Sequence, residues 1–257
     1  MAIQRVRSKR AKTDVLLADP SLREFIPSTR SFQRTTVEQM LDHYEMIYVK
    51  PVNGTFGNGV IRLEKKAGAA EPYFFQSGQR KYSFSTFDDM YRKLLRVKKR
   101  KAYLSQQGIH LLKYSGRRFD LRVMVQKNPH SQWETTGMIG RVAHPRKIVT
   151  NYHAGGTPMP VTKLLKGSMT TEQVKHYKTR LRKLGVDIAS ALEKKFTRIK
   201  EIGVDIAVDH NLKPWVLEVN TLPDPFLFKK LPSRAVFRKM YAYAVAYGRF
   251  KARKKKV

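Results

Sequence analysis

Residues 203–222, GVDIAVDHNLKPWVLEVNTL, read as two short strands around a polar turn. Side chains alternate across a strand. If Val204, Ile206 and Val208 face a core, Asp205 lies on the opposite face; the same count turns Trp215, Leu217 and Val219 inward and leaves Glu218 and Asn220 outside. A turn centred between Asn211 and Leu212 sets Asp205 directly opposite Glu218, and cross-strand neighbours have Cβ atoms about 4.5–5.5 Å apart. Two carboxylates that close repel each other and call for a shared proton or a cation. Oxygen ligands from Asp, Glu and Asn suit Mg²⁺, which keeps some waters and shares its sphere with nucleotide phosphates. Taken alone, a solvated hairpin with ordinary surface acids would be the simpler reading.

Residues 47–61, IYVKPVNGTFGNGVI, supply a complementary half. Lys50 ends an apolar strand, where its ammonium can meet phosphate, and Gly54, Gly57 and Gly59 free a turn whose N–H groups can approach phosphate oxygens. The loop is not a P-loop, because no Gly-Lys-Ser/Thr follows. It also departs from the dinucleotide fingerprint, since it joins strand to strand. By itself a glycine-rich hairpin tip is a plain turn.

The two halves belong to a longer series: the Pro27-Ser-Thr segment, KPxxGxxGxGV from Lys50, QQGI from Gln106, RRFDLRVMVQ from Arg117, GRVA from Gly140 with TNYHAGG from Thr150, and GVDIAVD with LEVNTLP. In order and spacing the series resembles the ATP-grasp superfamily. Within it the likeness is to the YheC/YheD endospore coat-associated group, and more distantly to the glutathione-synthetase and ribosomal-protein glutamate-ligase branch. The resemblance implies an α+β ATP-grasp fold, two α+β lobes clasping a nucleotide, without the full N-terminal domain that usually precedes them. It divides the chain into a basic N-terminal arm at residues 1–30, a small lobe with the glycine-rich flap at 31–104, a large lobe with the metal site at 105–250, and a basic tail at 251–257.

Residue by residue, the resemblance implies that Lys50 touches ATP phosphates beneath a flexible flap containing Gly54, Gly57, Asn58 and Gly59. Gln106, Gln107 and Ile109 would form the hinge that reads adenine, and Asp120 would sit near the ribose or a substrate amine. Arg122 and Arg141 would face the γ-phosphate or a developing acyl phosphate. Asn151, Gly155 and Gly156 would complete the phosphate and substrate region. Asp205, Glu218 and Asn220 would hold one or two Mg²⁺ ions, or Mn²⁺ in their place. Plainer readings exist, with Arg122 an exposed strand charge and Asn151 a turn residue. A second phosphate-binding lysine, common upstream of the glycine loop, has no evident counterpart.

The implied activity is that of a carboxylate-amine ligase acting through an acyl phosphate. In-line attack on a γ-phosphate needs charge neutralisation more than a protein nucleophile. The chain has no cysteine, and the seven histidines, His110, His144 and His153 among them, are assigned no role. Two other classes fit the same residues: an ATP-dependent phosphotransferase, because fold alone does not decide the chemistry, and a basic coat-assembly protein with a vestigial nucleotide site.

Composition sets the outer bounds. The 257 residues, 41% hydrophobic, suffice for a substantial core. Lys plus Arg number 52 against 20 Asp plus Glu, a formal charge of +32. Such a field collects polyanions and acidic or carboxylate-bearing substrates, and non-specific, salt-sensitive polyanion binding is expected. No nucleic-acid recognition motif appears, and the aromatics form no basic-aromatic module along the sequence. No run approaches the roughly 20 apolar residues of a membrane span, and the N-terminus lacks a secretory apolar region. A cytoplasmic, or spore-associated, protein without a membrane partner is expected.

Periodicity predicts an irregular arm over the first 30 residues and a helix from Thr36, with a Thr36–Gln39 capping box. A strand at 46–49, its partner at 60–63 and further strand at 74–84 follow. A helix at 86–100 buries Phe87, Met90, Tyr91, Leu94 and Leu95, and strands are read at 102–106, 121–126 and 133–144. The longest helix starts at Thr170 with Gln173 three positions on, and a last amphipathic helix covers 233–249.

Overall fold

A computed structural model describes residues 2–54 and 57–251. Thr55 and Phe56 of the expected flap, and residues 252–257 of the expected tail, lie outside the described residues. The chain runs α1 (Lys9–Ala18), β1 (Thr29–Ser31), α2 (Arg34–Tyr44), β2 (Met46–Pro51), β3 (Ile61–Lys65), β4 (Tyr73–Ser77), β5 (Arg80–Phe84), α3 (Phe87–Val97) and β6 (Tyr103–Gln107). It continues through β7 (Lys113–Tyr114), β8 (Arg117–Lys127), β9 (Trp133–Val142), β10 (Thr157–Met159), α4 (Val161–Leu165), α5 (Thr171–Lys195), β11 (Glu201–Val208), β12 (Pro214–Asn220) and α6 (Ala235–Ala246).

The small lobe is an antiparallel sheet ordered β1-β6-β2-β3-β4-β5. Its helices cover one face only. Ile47, Val49, Ile61 and Leu63 point at Val37, Met40 and Leu41 of α2 and at Met90 and Leu94 of α3. Each such side chain, taken fully out of water, contributes about 1.5–3 kcal/mol. The alternation that buries Ile47 and Val49 turns Tyr48 and Lys50 to the uncovered face. α2 starts at Arg34, before the expected Thr36: Val37 N–H already donates to the Gln33 carbonyl (2.9 Å), so Thr36 lies inside the first turn and caps nothing. α3 is capped by Thr86 as its sequence suggests, but Leu95 is 45% exposed, beyond the edge of the buried stripe.

The large lobe is a sheet ordered β10-β9-β8-β11-β12, with β7 attached to β8. α5 begins with the expected capping box: Gln173 N–H donates to Thr170 Oγ1 (3.2 Å), and Thr170 N–H donates to Gln173 Oε1 (2.8 Å). Its stripe of Leu181, Leu184, Ile188 and Leu192 packs on Val123, Val125 and Val204. α6 covers part of the other face, where Met240 meets Met124, Ile139 and Phe228. β8 is therefore buried on both sides, and Arg122 and Gln126, at outward positions of an alternating strand, are interior.

The first 30 residues are not an irregular arm. Ser8 caps α1 by accepting from Ala11 N–H (3.2 Å), and Leu16, Leu22 and Ile26 enter the large-lobe core. α1 lies against α5 and β12. Its sequence, KRAKTDVLLA, carries too few apolar positions to announce a helix, and long-range packing supplies what local pattern does not. Among the described residues no helix is long and apolar enough to cross a membrane.

Candidate functional site

A cleft of about 870 Å³, part of it open to solvent, separates the uncovered face of the small-lobe sheet from the ends of the large-lobe strands. Lys50, Gly54, Gly57, Asn58, Gln106, Gln107 and Ile109 border it from the small-lobe side; Asp120, Arg141, Asn151, Asp205 and Glu218 border it from the large lobe.

Strand registry builds the large-lobe wall. Asp205 pairs across the ladder with Glu218 on one side and with Arg122 on the other, and Asp120 is opposite Arg141. Arg141 donates through Nε to Asp120 Oδ1 (2.9 Å) and through Nη2 to Asp120 Oδ2 (2.5 Å), while Nη2 lies 3.0 Å from Asp205 Oδ2. Arg122 Nε donates to Asp205 Oδ1. Two acids and two arginines thus alternate in a buried chain. Burial opposes charge on Arg141, but Asp120 and Asp205 outweigh it and raise its pKa. Burial would likewise raise Asp205, yet Arg122 and Arg141 hold it below the ordinary carboxylate range.

The two acids, expected to call for a shared proton or a cation, have cations from within the chain. Arg122 and Arg141 neutralise the first, and Lys9 Nζ stands 3.0 Å from Glu218 Oε1. Arg122 is not an exposed strand charge. Asn220, opposite Gly203, is one step beyond the cleft lining. Among the described residues no group of three or more His, Cys, Asp or Glu side chains could hold a metal, so any ion here would rely on the two acids and a neutral oxygen.

The hairpin carries a further correction. From Val208 to Ile206 the pairing follows a turn centred on Asn211; a β-bulge then skips Leu217, and Asp205 meets Glu218. The bulge puts Leu217 and Glu218 on the same side. Trp215 and Leu217, expected inward, pack instead with Ala207, Ile109 and Leu111 on the cleft side, while Val216 and Val219 enter the core.

On the small-lobe face, Lys50 Nζ donates to Gln106 Oε1 (2.5 Å) and stands 5.6 Å from the Tyr48 ring centre. Burial, with help from Lys9, lowers its pKa to about 8 against the opposing pull of Glu218, Asp205 and Asp120. Gln106 Nε2 donates to Thr29 Oγ1 (3.0 Å), and Gln107 Oε1 accepts from Ser28 N–H (3.2 Å). Gln106 therefore has partners at both its amide oxygen and nitrogen, whereas the bond to Gln107 engages only its oxygen.

The flap rests on the large lobe at Gly57. A Cβ there would lie 3.0 Å from Asn151 Oδ1 and 3.1 Å from Val149, at a φ of +74°. Gly59, Gly155 and Gly156 do not border the cleft. At Gly156 a Cβ would fall 2.0 Å from the Thr150 carbonyl oxygen, so the glycine lets the chain fold back behind Asn151.

Residue reading missed Lys9, Tyr48, Arg118 and Leu217 on this cleft. Tyr48 was legible, two positions from Lys50 on one strand. Lys9 was not. It lies upstream of the glycine loop, and its Nζ donates to the Gly54 carbonyl (2.8 Å) while pairing with Glu218.

A family model described as YheC/D-like ATP-grasp matches residues 4–250. The endospore coat-associated protein YheD of Bacillus subtilis (strain 168) is 24% identical over 224 residues, covering 83% of this chain and 48% of that protein. The chain thus spans about half the length of this curated relative. Among solved structures, the D-cycloserine synthetase DcsG has a TM-score of 0.55 at 12% identity, over 93% of this chain and 70% of its own. The D-alanine-D-alanine ligase from Coxiella burnetii has a TM-score of 0.51 at 16% identity, over 95% and 57%. At such identities these two speak for the fold, two α+β lobes of ATP-grasp type.

Proposed function

The chain belongs to the YheC/D-like ATP-grasp family, and from that membership we propose that it is a Mg-ATP-dependent ligase joining a carboxylate to an amine through an acyl phosphate. The observation that carries the reading is the meeting of Lys9 and Lys50 with Arg141, Asp205 and Glu218 around one cleft. A triphosphate needs cations on several sides, and Lys9, Lys50 and Arg141 supply them from α1 and from both sheets, with Asp205 and Glu218 beside them for a metal ion.

In this reading Lys9 and Lys50 bind the phosphates under the flap of Gly54, Gly57 and Asn58, with Gly59 at its base. Ile109, Leu217 and the hinge at Gln106 and Gln107 receive the base. Arg141 and Asn151 face the γ-phosphate; Asp120 and Arg122 act on it indirectly by positioning Arg141 and Asp205. Gly155 and Gly156 hold the Asn151 turn. Asp205, Glu218 and Asn220 offer only oxygen donors, a set that fits Mg²⁺ or Mn²⁺. When bound, the ion would neutralise charge on the triphosphate. A substrate carboxylate oxygen attacks the γ-phosphorus and ADP leaves; an amine then attacks the acyl carbon, phosphate leaves, and the amine gives up a proton to solvent.

One observation favours a ligase over a phosphotransferase. A hydroxyl nucleophile needs a base, whereas a carboxylate does not. Asp120 and Asp205 are each bound to arginine, Glu218 is paired with Lys9, and no histidine borders the cleft among the described residues. Association with the spore, which the name of YheD states for that protein, is carried to this chain as part of the proposal.

Calorimetry with Mg-ATP, followed by ADP release across pools of amino acids, acidic peptides and polyols with mass spectrometry of the products, tests the reading. Amide formation is expected. A phosphate adduct would establish the phosphotransferase instead, and absence of both ATP binding and turnover would leave the vestigial, assembly role.

A further inference from the structure

The loop at residues 221–226 follows β12 directly and leaves two large apolar side chains in water, Leu222 at 61% exposure and Phe226 at 45%. The loop is held in place: Asp224 Oδ1 accepts from Phe226 N–H (2.8 Å). Phe226 touches Phe237 (5.7 Å between ring centres) and Phe250 (5.8 Å), and Phe250 stacks on Tyr241 (5.2 Å, 14°). Phe226, Tyr241 and Phe250 belong to none of the buried clusters among the described residues. These rings all lie between residues 226 and 250, and the fold brings them together into one cluster.

The rim is cationic. Lys229 Nζ lies 5.0 Å from the centre of Phe226 and 4.8 Å from that of Phe237. Lys230, Arg234 and Arg238 are exposed, and among the described residues none has a carboxylate within 4.0 Å. An apolar patch rimmed by charge marks an interaction site more often than a bare surface does.

We propose that this face docks an acidic polypeptide bearing aliphatic side chains, and that, given the ligase reading above, this polypeptide is the substrate whose carboxylate enters the cleft. Continuity supports the second half, since Glu218 borders the cleft and the docking loop begins at the end of the same strand. The unpaired cations match an acidic partner. Single-stranded nucleic acid fits less well, because base stacking needs free ring faces. Here Tyr241 and Phe250 cover one face of each other, and Lys229 stands over one face of Phe226 and one of Phe237, which reduces the ring surface open to bases. The exposed Leu222 and Phe226 offer apolar surface that suits a branched aliphatic side chain.

Fluorescence anisotropy on the full chain tests this with three labelled probes matched in charge: polyglutamate with leucine at regular intervals, plain polyglutamate, and oligothymidylate. The leucine-bearing probe is expected to bind about tenfold more tightly than plain polyglutamate, a gap of about 1.4 kcal/mol. Phe226→Ser should abolish that advantage. The double variant Arg234→Glu with Arg238→Glu should weaken both polyglutamates by about tenfold or more. Equal binding of the two polyglutamates, survival of the advantage in Phe226→Ser, or a Phe226 dependence seen only with oligothymidylate would overturn the proposal. Mg-ATP calorimetry on the same samples separates it from the enzyme reading. A leucine preference without ATP binding keeps the docking face and removes the substrate role; ATP binding without the preference overturns the docking proposal and leaves the enzyme reading standing.

Discussion

Asp205 stands opposite Glu218 only because a β-bulge at Leu217 shifts the β11–β12 register by one residue. An evenly paired hairpin turning at Asn211 would set Leu217 against Asp205. The bulge inserts an apolar side chain on the cleft side without disturbing the alternation that keeps Val216 and Val219 in the core.

Deleting Leu217 should therefore preserve the fold and the Asp205–Glu218 pair while removing one wall of the proposed base site. The expected cost is about 1–3 kcal/mol from lost burial, a fall in Tm of roughly 2–10 °C for a domain of this size. ATP affinity should fall by about tenfold, as read by calorimetry. Loss of cooperative unfolding would show that the bulge is needed for pairing itself.

The alternating acids and arginines make a second case. Asp120→Ala leaves Arg141 buried with one partner fewer, and breaking a buried pair costs about 3–5 kcal/mol. Urea denaturation measures it directly. Asp205 adds a pH signature, because its folded pKa is held below the ordinary value. Its contribution is present above the unfolded carboxylate pKa of about 3.9 and is lost as pH falls through the lower folded value. Asp205→Asn should flatten that acid limb of the stability curve; an unchanged limb would assign it to other carboxylates.

How far these features were legible depends on the distance over which they are determined. Alternation over residues 46–51 and 203–208 needs only neighbours, so Lys50 and Asp205 were found on their cleft-facing sides. The adjacency of β8 to β11 joins segments about 80 residues apart, and nothing local to Arg122 announces Asp205 as its partner. Trp215 and Leu217 were misread because a bulge has no signature in an alternating pattern. Lys9 was missed because its helix is held by contacts to α5 and β12 rather than by its own composition.

Lys50 carries the next prediction. Its pKa is lowered to about 8, so between about 8 and the ordinary 10.5 the unfolded chain binds more protons than the folded one. The penalty for burying the charged form is complete below pH 8 and is relieved as pH rises through that window. A bound triphosphate would favour the charged form and raise the pKa. ATP binding near pH 8 should then take up protons, visible as heats that vary with the ionisation enthalpy of the buffer. Lys50→Met should remove the uptake, and buffer-independent heats in the unaltered protein would count against phosphate at Lys50.

Lys9 is the joint between flap, acid and α1. Its ammonium donates to the Gly54 carbonyl and pairs with Glu218, with only 13% of its side chain exposed. Lys9→Met keeps the alkyl stem that packs there but removes both polar contacts. Glu218 then loses its cation and the flap its tether. If Lys9 binds phosphate, Mg-ATP affinity should fall by about tenfold or more. Limited proteolysis at residues 52–60 should also quicken in the absence of nucleotide. A variant with faster cleavage but unaltered ATP affinity would restrict Lys9 to holding the flap, and the phosphates would then rest on Lys50 and Arg141 alone.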